Sequence, residues 1–456
     1  MSGKRSLIFY IRTTLFLLSM VMLFSCKKYL DKKPSQSLTI PSTLADLQAI
    51  LDNVGLNGKS PGYAELVADN YYLTSASYNQ ANISERTSYV WDKDAMPLYI
   101  YVWNPVYEGV YNANFVLDYL PKVSKAATEQ NVYDKLKGGA LFFRSFYFHQ
   151  LAQLFCKPYT SSAATDPGIV LRLSSGVASK SERATVQQTY DQIINDLKAA
   201  AELLPQSDIF TTRPNKAAAY AELARVYLTM RDYNNAKFYA EAALAINNNL
   251  LDYNSYTSSN LLPAFVNNTE ILFVSFATSP DELRSPKGII DTSLYLSYST
   301  NDLRKSIFFE TNSSGSFWKG SYFPEAGTYK IFDGLAIDEV YLILAECQAR
   351  TNSKDAAMST LNSLLRKRWK TGTYTDLTAA DANDAINKIL TERRKELLFR
   401  GLRWSDLRRL NVEGANITLR RIVNGNTYSL PPDDLRWVLL IPDLETGRSG
   451  IQQNAR

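Results

Sequence analysis

The chain has 456 residues, 45 % of them hydrophobic and 21 % charged, enough to bury a large core in two or three lobes. Its formal charge of +5 is mild and the basic residues are scattered, so no clustered basic face for nucleic acid is expected. A single histidine, His149, excludes a His-rich metal centre and a His-Glu-x-x-His helix, and any Ser-His-Asp triad would have to use it. It lies in the aromatic helical stretch 142–151, where a packed, hydrogen-bonded imidazole is expected.

The chain begins with Lys4, Arg5 and Arg12, then an almost unbroken apolar run over 15–24, and Leu23-Phe24-Ser25 leads directly into Cys26. A basic head, a short apolar segment and a small residue at the cut are the parts of a secretory signal. The run is shorter than the roughly 20 residues that span hydrocarbon. The four residues resemble a bacterial lipobox. Residues 1–25 are therefore expected to be a cleaved signal, with Cys26 as the lipidated first residue of the mature chain. Two or more acyl chains anchor a protein stably where one does not. Residues 26–42 are polar and read as a tether to a body over 43–456. Cys156 and Cys347 sit in apolar helical contexts and are expected as buried free thiols.

Helical spacing follows. Tyr107, Val110, Tyr111, Asn114 and Leu117 recur on one face. So do Tyr190, Ile193, Ile194, Leu197, Ala200 and Leu204, on a helix opened by Thr185 and stopped by Pro205. Near 216–247, Ala217, Ala221 and Ala224 share one helical face, and Ala236, Ala240 and Ala243 share another. This is the antiparallel hairpin of a tetratricopeptide repeat. Leu344-Ala345, Ala357, Leu361 and Leu365 predict a second hairpin near 336–368. The expected fold class is mainly α, with tetratricopeptide-like helical hairpins forming a scaffold. Residues 60–105 and about 250–335 lack helical period and are rich in aromatics. So aromatic an irregular stretch reads as a ligand-binding region, not as disorder.

Several ordered motifs carry a resemblance. Cys26-Lys27-Lys28-Tyr29-Leu30-Asp31, Tyr107-Glu108-Gly109-Val110-Tyr111-Asn112-Ala113-Asn114, Arg144-x-Phe146-Tyr147-Phe148, Arg183-Ala184-Thr185-Val186 and Lys216-Ala217-Ala218-Ala219 come first. The strongest is Glu392-Arg393-Arg394-Lys395-Glu396-Leu397, running into Gly401-Leu402-Arg403-Trp404-Ser405-Asp406-Leu407-Arg408-Arg409. Leu440-Ile441-Pro442 and Gln453-Asn454 close the series. In this order they resemble the SusD/RagB family of nutrient-binding outer-membrane lipoproteins. Arg400 departs from the pattern, standing where an acidic residue is expected.

The resemblance implies a non-enzymatic protein that binds an oligosaccharide or polysaccharide for nutrient uptake. It further implies a SusC-like TonB-dependent transporter as partner, and a lipid-anchored place on the outer membrane, facing the cell exterior. The alternative is a peptide-binding, RagB-like uptake partner. No catalytic residue, metal ligand set or cofactor can be singled out. Sugar rings present flat C–H faces, so a binder offers aromatic platforms and polar side chains. Trp91, Trp318 and Tyr322 are the expected platforms, with Asp69 and Arg86 as candidates for the hydroxyls. Trp404 and the charges of 392–409 resemble a structural signature that locks a terminal helix onto the repeats.

Overall fold

Among the described residues, eight helices of twelve residues or more set the architecture. They are α1 (Asn104–Tyr119), α2 (Gln130–Phe155), α3 (Val186–Leu203), α4 (Lys216–Met230), α5 (Tyr233–Ile246), α6 (Ile337–Arg350), α7 (Lys354–Leu365) and α8 (Ala382–Glu396). From α1 to α7 each packs against the next, and α6 also receives α8. The structure, a computed structural model, describes residues 40–176, 181–256, 262, 267–278, 280–320, 322 and 330–456. The expected signal, Cys26 and nearly all of the tether lie outside them. Residues Thr43–Arg456 form one compact unit, and the fold class expected from the alanine spacing is the one observed.

Local chemistry sets the helix ends. The Thr185 hydroxyl accepts from the Gln188 N–H at 3.1 Å while the Thr185 N–H donates to the Gln188 side chain at 2.9 Å, a capping box opening α3. Asn215 caps α4, Arg231 turns the chain at φ 63°, and Asp232 caps α5, so two residues suffice to reverse direction. All six seam alanines of α4 and α5 are buried. Small side chains there let the helix axes approach closely. The α6–α7 hairpin repeats the device with Ala345, Ala349 and Ala357, and turns at Asn352, φ 60°.

Helix α2 is the hub of the main core. Phe142, Phe143 and Phe146 each set their rings against Phe273 at 4.8–5.5 Å. Gly109 on α1 lets Tyr147 pass: a Cβ there would sit 2.5 Å from its ring. Arg144, buried in this apolar helix, donates to both Asp196 oxygens at 2.7 Å and to Asn114. His149 bonds Glu222 at 2.6 Å and is fully buried, as its aromatic setting predicted. Cys156 and Cys347 are free and buried, and burial pushes the Cys156 thiol up to about 12.

A second core, built from short elements, contains Tyr71, Tyr89, Tyr253, Phe308, Phe309, Tyr322, Phe332 and Phe399. Its strands form two-stranded antiparallel pairs, among them Tyr71–Tyr72 with Ile289–Ile290 and the hairpin Phe309–Asn312 with Gly315–Trp318. Buried ion pairs join segments far apart in the chain. Arg304 reaches Asp302, Glu392 and Glu396, while Arg368 reaches Glu270 and Glu396. Arg409 reaches Glu346 and Asp406. Trp404 is buried, its ring 4.6 Å from that of Trp437. The 392–409 stretch is thus a structural lock. Arg400, the departure from the expected pattern, is held by Asp338 at 3.0 Å and lies over the rings of Tyr322 and Phe332.

Candidate functional site

Strand alternation sorts the pair Tyr71-Tyr72. Successive side chains point to opposite faces, so Tyr71 is 3 % exposed and Tyr72 42 %. Tyr72 stands on the wall of a cavity of about 300 Å³. Polar side chains share that wall: Asp69, Asp291, Ser293, Arg394 and Arg420. Asp291 caps the short helix Thr292–Ser297 by accepting from the Leu294 N–H at 2.9 Å. Arg394, at the end of α8, donates to the Asn70 side chain and the Asp69 carbonyl. An exposed phenol beside fixed donors and acceptors can stack one ring face and hydrogen-bond its rim.

The residues singled out from sequence fall in several places. Trp91 and Asp69 both line this cavity. Trp91, however, is only 3 % exposed, and its indole N–H donates to the Val67 carbonyl at 2.9 Å. The Arg421 guanidinium lies 3.7 Å from the Tyr89 ring centre and 5.0 Å from those of Tyr71 and Trp91. The Trp91 face is therefore spent on a buried cation, which corrects its expected role as an open platform. Arg421 reaches this spot because the strand Leu419–Val423 alternates, with Leu419, Arg421 and Val423 turned inward.

Tyr322 also needs correction as a platform. It is 1 % exposed, and its hydroxyl meets Glu270 at 2.7 Å and Asp338 at 3.0 Å. Trp318 is half-buried on its hairpin, edge-on to Phe399 at 5.3 Å, and Phe399 in turn touches Tyr71. Asp69 is gripped by Arg403 through both oxygens, at 2.7 and 2.9 Å. Burial opposes its ionisation, but the Arg403 charge overrides this and holds the carboxyl at about 2. Arg86, half-buried on the helix Ile83–Tyr89, has no hydrogen-bond partner for its Nε among the described residues.

A second cavity, of about 370 Å³, opens beside the first half of the chain. Tyr63, Asn82, Glu85, Tyr101 and Glu282 line it. Tyr101 is half-exposed. Glu282 faces Glu85, and burial, reinforced by the Glu85 charge, pushes its carboxyl up to about 7. Sequence reasoning missed this pair, since about 200 residues separate the two glutamates and neither sits in a motif. Tyr72 was legible in principle: a Tyr-Tyr pair in a strand must turn one ring outward. Among the described residues no group of three or more His, Cys, Asp or Glu could hold a metal ion.

Comparisons with known proteins agree with this architecture. A family profile described as starch-binding associating with outer membrane matches residues 28–228, and the SusD family profile matches residues 337–438. The chain is 26 % identical over 368 residues to SusD-like protein P2 of Formosa agariphila, covering 67 % of this chain and 69 % of that one. A candidate sugar-binding protein from Bacteroides vulgatus has a similar fold, with a TM-score of 0.74 at 24 % identity over 91 % of this chain and 99 % of that one. A SusD superfamily protein from Bacteroides thetaiotaomicron superposes with a TM-score of 0.73 at 22 % identity, over 91 % and 100 % of the two chains.

Proposed function

This chain belongs to the SusD/RagB family, and from that premise we propose that it is a non-catalytic, lipid-anchored binder of oligosaccharide on the outer face of the outer membrane. The observation that carries this reading is the exposed Tyr72 ring beside the fixed polar groups Asp291, Ser293 and Arg394. The phenol stacks on a sugar face, and the polar rim bonds the hydroxyls. We keep Trp318 and Arg86 as further proposed ligand contacts. The starch-binding description of the family profile and the sugar-binding relative support the same ligand class.

Cys26 carries the lipid, and among the described residues no helix is long and apolar enough to cross a membrane. Captured glycan passes to a SusC-like TonB-dependent barrel, for which the protein acts as a lid. The test is binding of detergent-solubilised full chain to a glycan array, run alongside an assay for new reducing ends. Selective binding without release of reducing ends is expected. Release of reducing ends would overturn the non-catalytic reading. Silence from folded protein, with capture of members of a peptide library, would overturn the glycan reading.

A further inference from the structure

We propose that the cavity walled by Glu85, Glu282 and Tyr101 is a second ligand pocket, one that takes the primary ammonium group of an amino sugar. The sugar part of this assignment rests on the carbohydrate reading above; the ammonium part rests on the pocket alone. Glu282 sits in a short turn, Asp281–Leu283, and is 1 % exposed, yet the fold gives its carboxylate oxygens no hydrogen-bond donor beyond a proton shared with Glu85. Among the described residues no other buried carboxylate is left with both oxygens otherwise unbonded. A buried acceptor without a donor is costly, so a group lining a cavity in this state is set for a donor that arrives from outside.

Its neighbour sharpens the chemistry. Glu85, capped by Asn82 on the helix Ile83–Tyr89, faces Glu282 across the cavity wall. Two carboxyls this close resist ionising together and share a proton when alone. An ammonium ion supplies three donors and one positive charge. It releases that proton and pairs with both carboxylates. The cations of the same loop, Lys287 and Arg284, both form ion pairs with Asp281. Calcium seeks six to eight oxygen ligands, and among the described residues no group of three or more His, Cys, Asp or Glu could hold a metal ion. Tyr101, half-exposed on the same wall, offers its face to a ring that carries charge.

Binding also acquires a pH signature. The charged and titratable groups facing the pair are Asp281, Arg284 and Lys287 from its own loop, Tyr63 from the helix Tyr63–Val67, and Tyr71 from its strand. Both glutamates have raised pKa values, Glu282 at about 7, so affinity for an ammonium climbs as pH rises through that range. It falls again when the ligand amine loses its proton.

The test is calorimetric titration of the detergent-solubilised full chain with a glucosamine oligomer, its fully N-acetylated counterpart, and an unblocked short peptide. The free-amine sugar binds and the acetylated one does not, if the pocket reads ammonium. Glu282→Gln and Glu85→Gln each lower that affinity by about tenfold or more. Equal binding of both sugars would overturn the proposal, as would no binding of either. Stronger binding of the peptide amine would overturn the sugar assignment. Calcium binding abolished by both Gln variants would make a metal the occupant instead. Neutral glycans titrated into the same variants report on the Tyr72 face, so the two readings fail separately.

Discussion

Around the α4–α5 and α6–α7 seams, buried charge is answered within the fold. Arg225 bonds Glu339 and Glu222, and Arg409 bonds Glu346 and Asp406. Around Tyr72 and Glu282 the same residue types reach cavities: Tyr72 is turned outward, and Glu282 has no donor besides Glu85. The seams rely on alanine, which allows only close contact, whereas the irregular region relies on aromatics set on two-residue strands. Packing fixes the first region completely. The second turns an aromatic ring and a rim of polar groups toward cavities, and on the proposed reading that difference separates scaffold from binding surface.

The contrast can be broken most severely inside the scaffold. Arg368→Met leaves Glu270 buried without its cation and takes from Glu396 one of two, Arg304 remaining. It should cost about 3–5 kcal/mol in urea unfolding. Trp91→Ala should cost about the same, roughly 3–5 kcal/mol, because Trp91 belongs to the interior despite lining a cavity. An effect of Trp91→Ala on glycan affinity alone would blur the division. Ala240→Leu should cost about 1–3 kcal/mol through overpacking of the α4–α5 seam, read from the same unfolding curves.

On the proposed binding surface the expected effects invert. Tyr72→Ala should leave the melting temperature unchanged and weaken glycan binding about tenfold, the loss of one stacking contact. Glu282→Gln gives the smallest effect, and it depends on pH. The folded pKa of Glu282 is raised to about 7. The stability this group contributes is therefore full below the ordinary carboxylate range and is lost as pH rises through about 7. Wild type and variant should unfold alike at low pH, with the variant more stable at pH 8 by on the order of 1 kcal/mol. Thermal melts across pH check this.

Much of the scaffold was legible in the chain because a helix repeats every few residues. Alanine spacing located α4 to α7, and Thr185 with Pro205 bracketed α3. His149, Trp404 and the 392–409 charges were correctly read as interior. The site was less legible, since its geometry comes from long-range pairing. Whether a tryptophan faces solvent or a guanidinium depends on where Arg421 lands, some 330 residues later in the chain. Trp91 and Tyr322 look alike in sequence to any exposed aromatic, and only the fold buries them. Glu85 and Glu282 meet for the same reason.

The most direct test is to compare Tyr72→Ala with Trp91→Phe on a glycan array, both as folded full chain in detergent. Loss of selective binding in Tyr72→Ala, with binding retained in Trp91→Phe, is the predicted result. Undiminished binding by Tyr72→Ala would contradict the account and move the platform elsewhere on the irregular face.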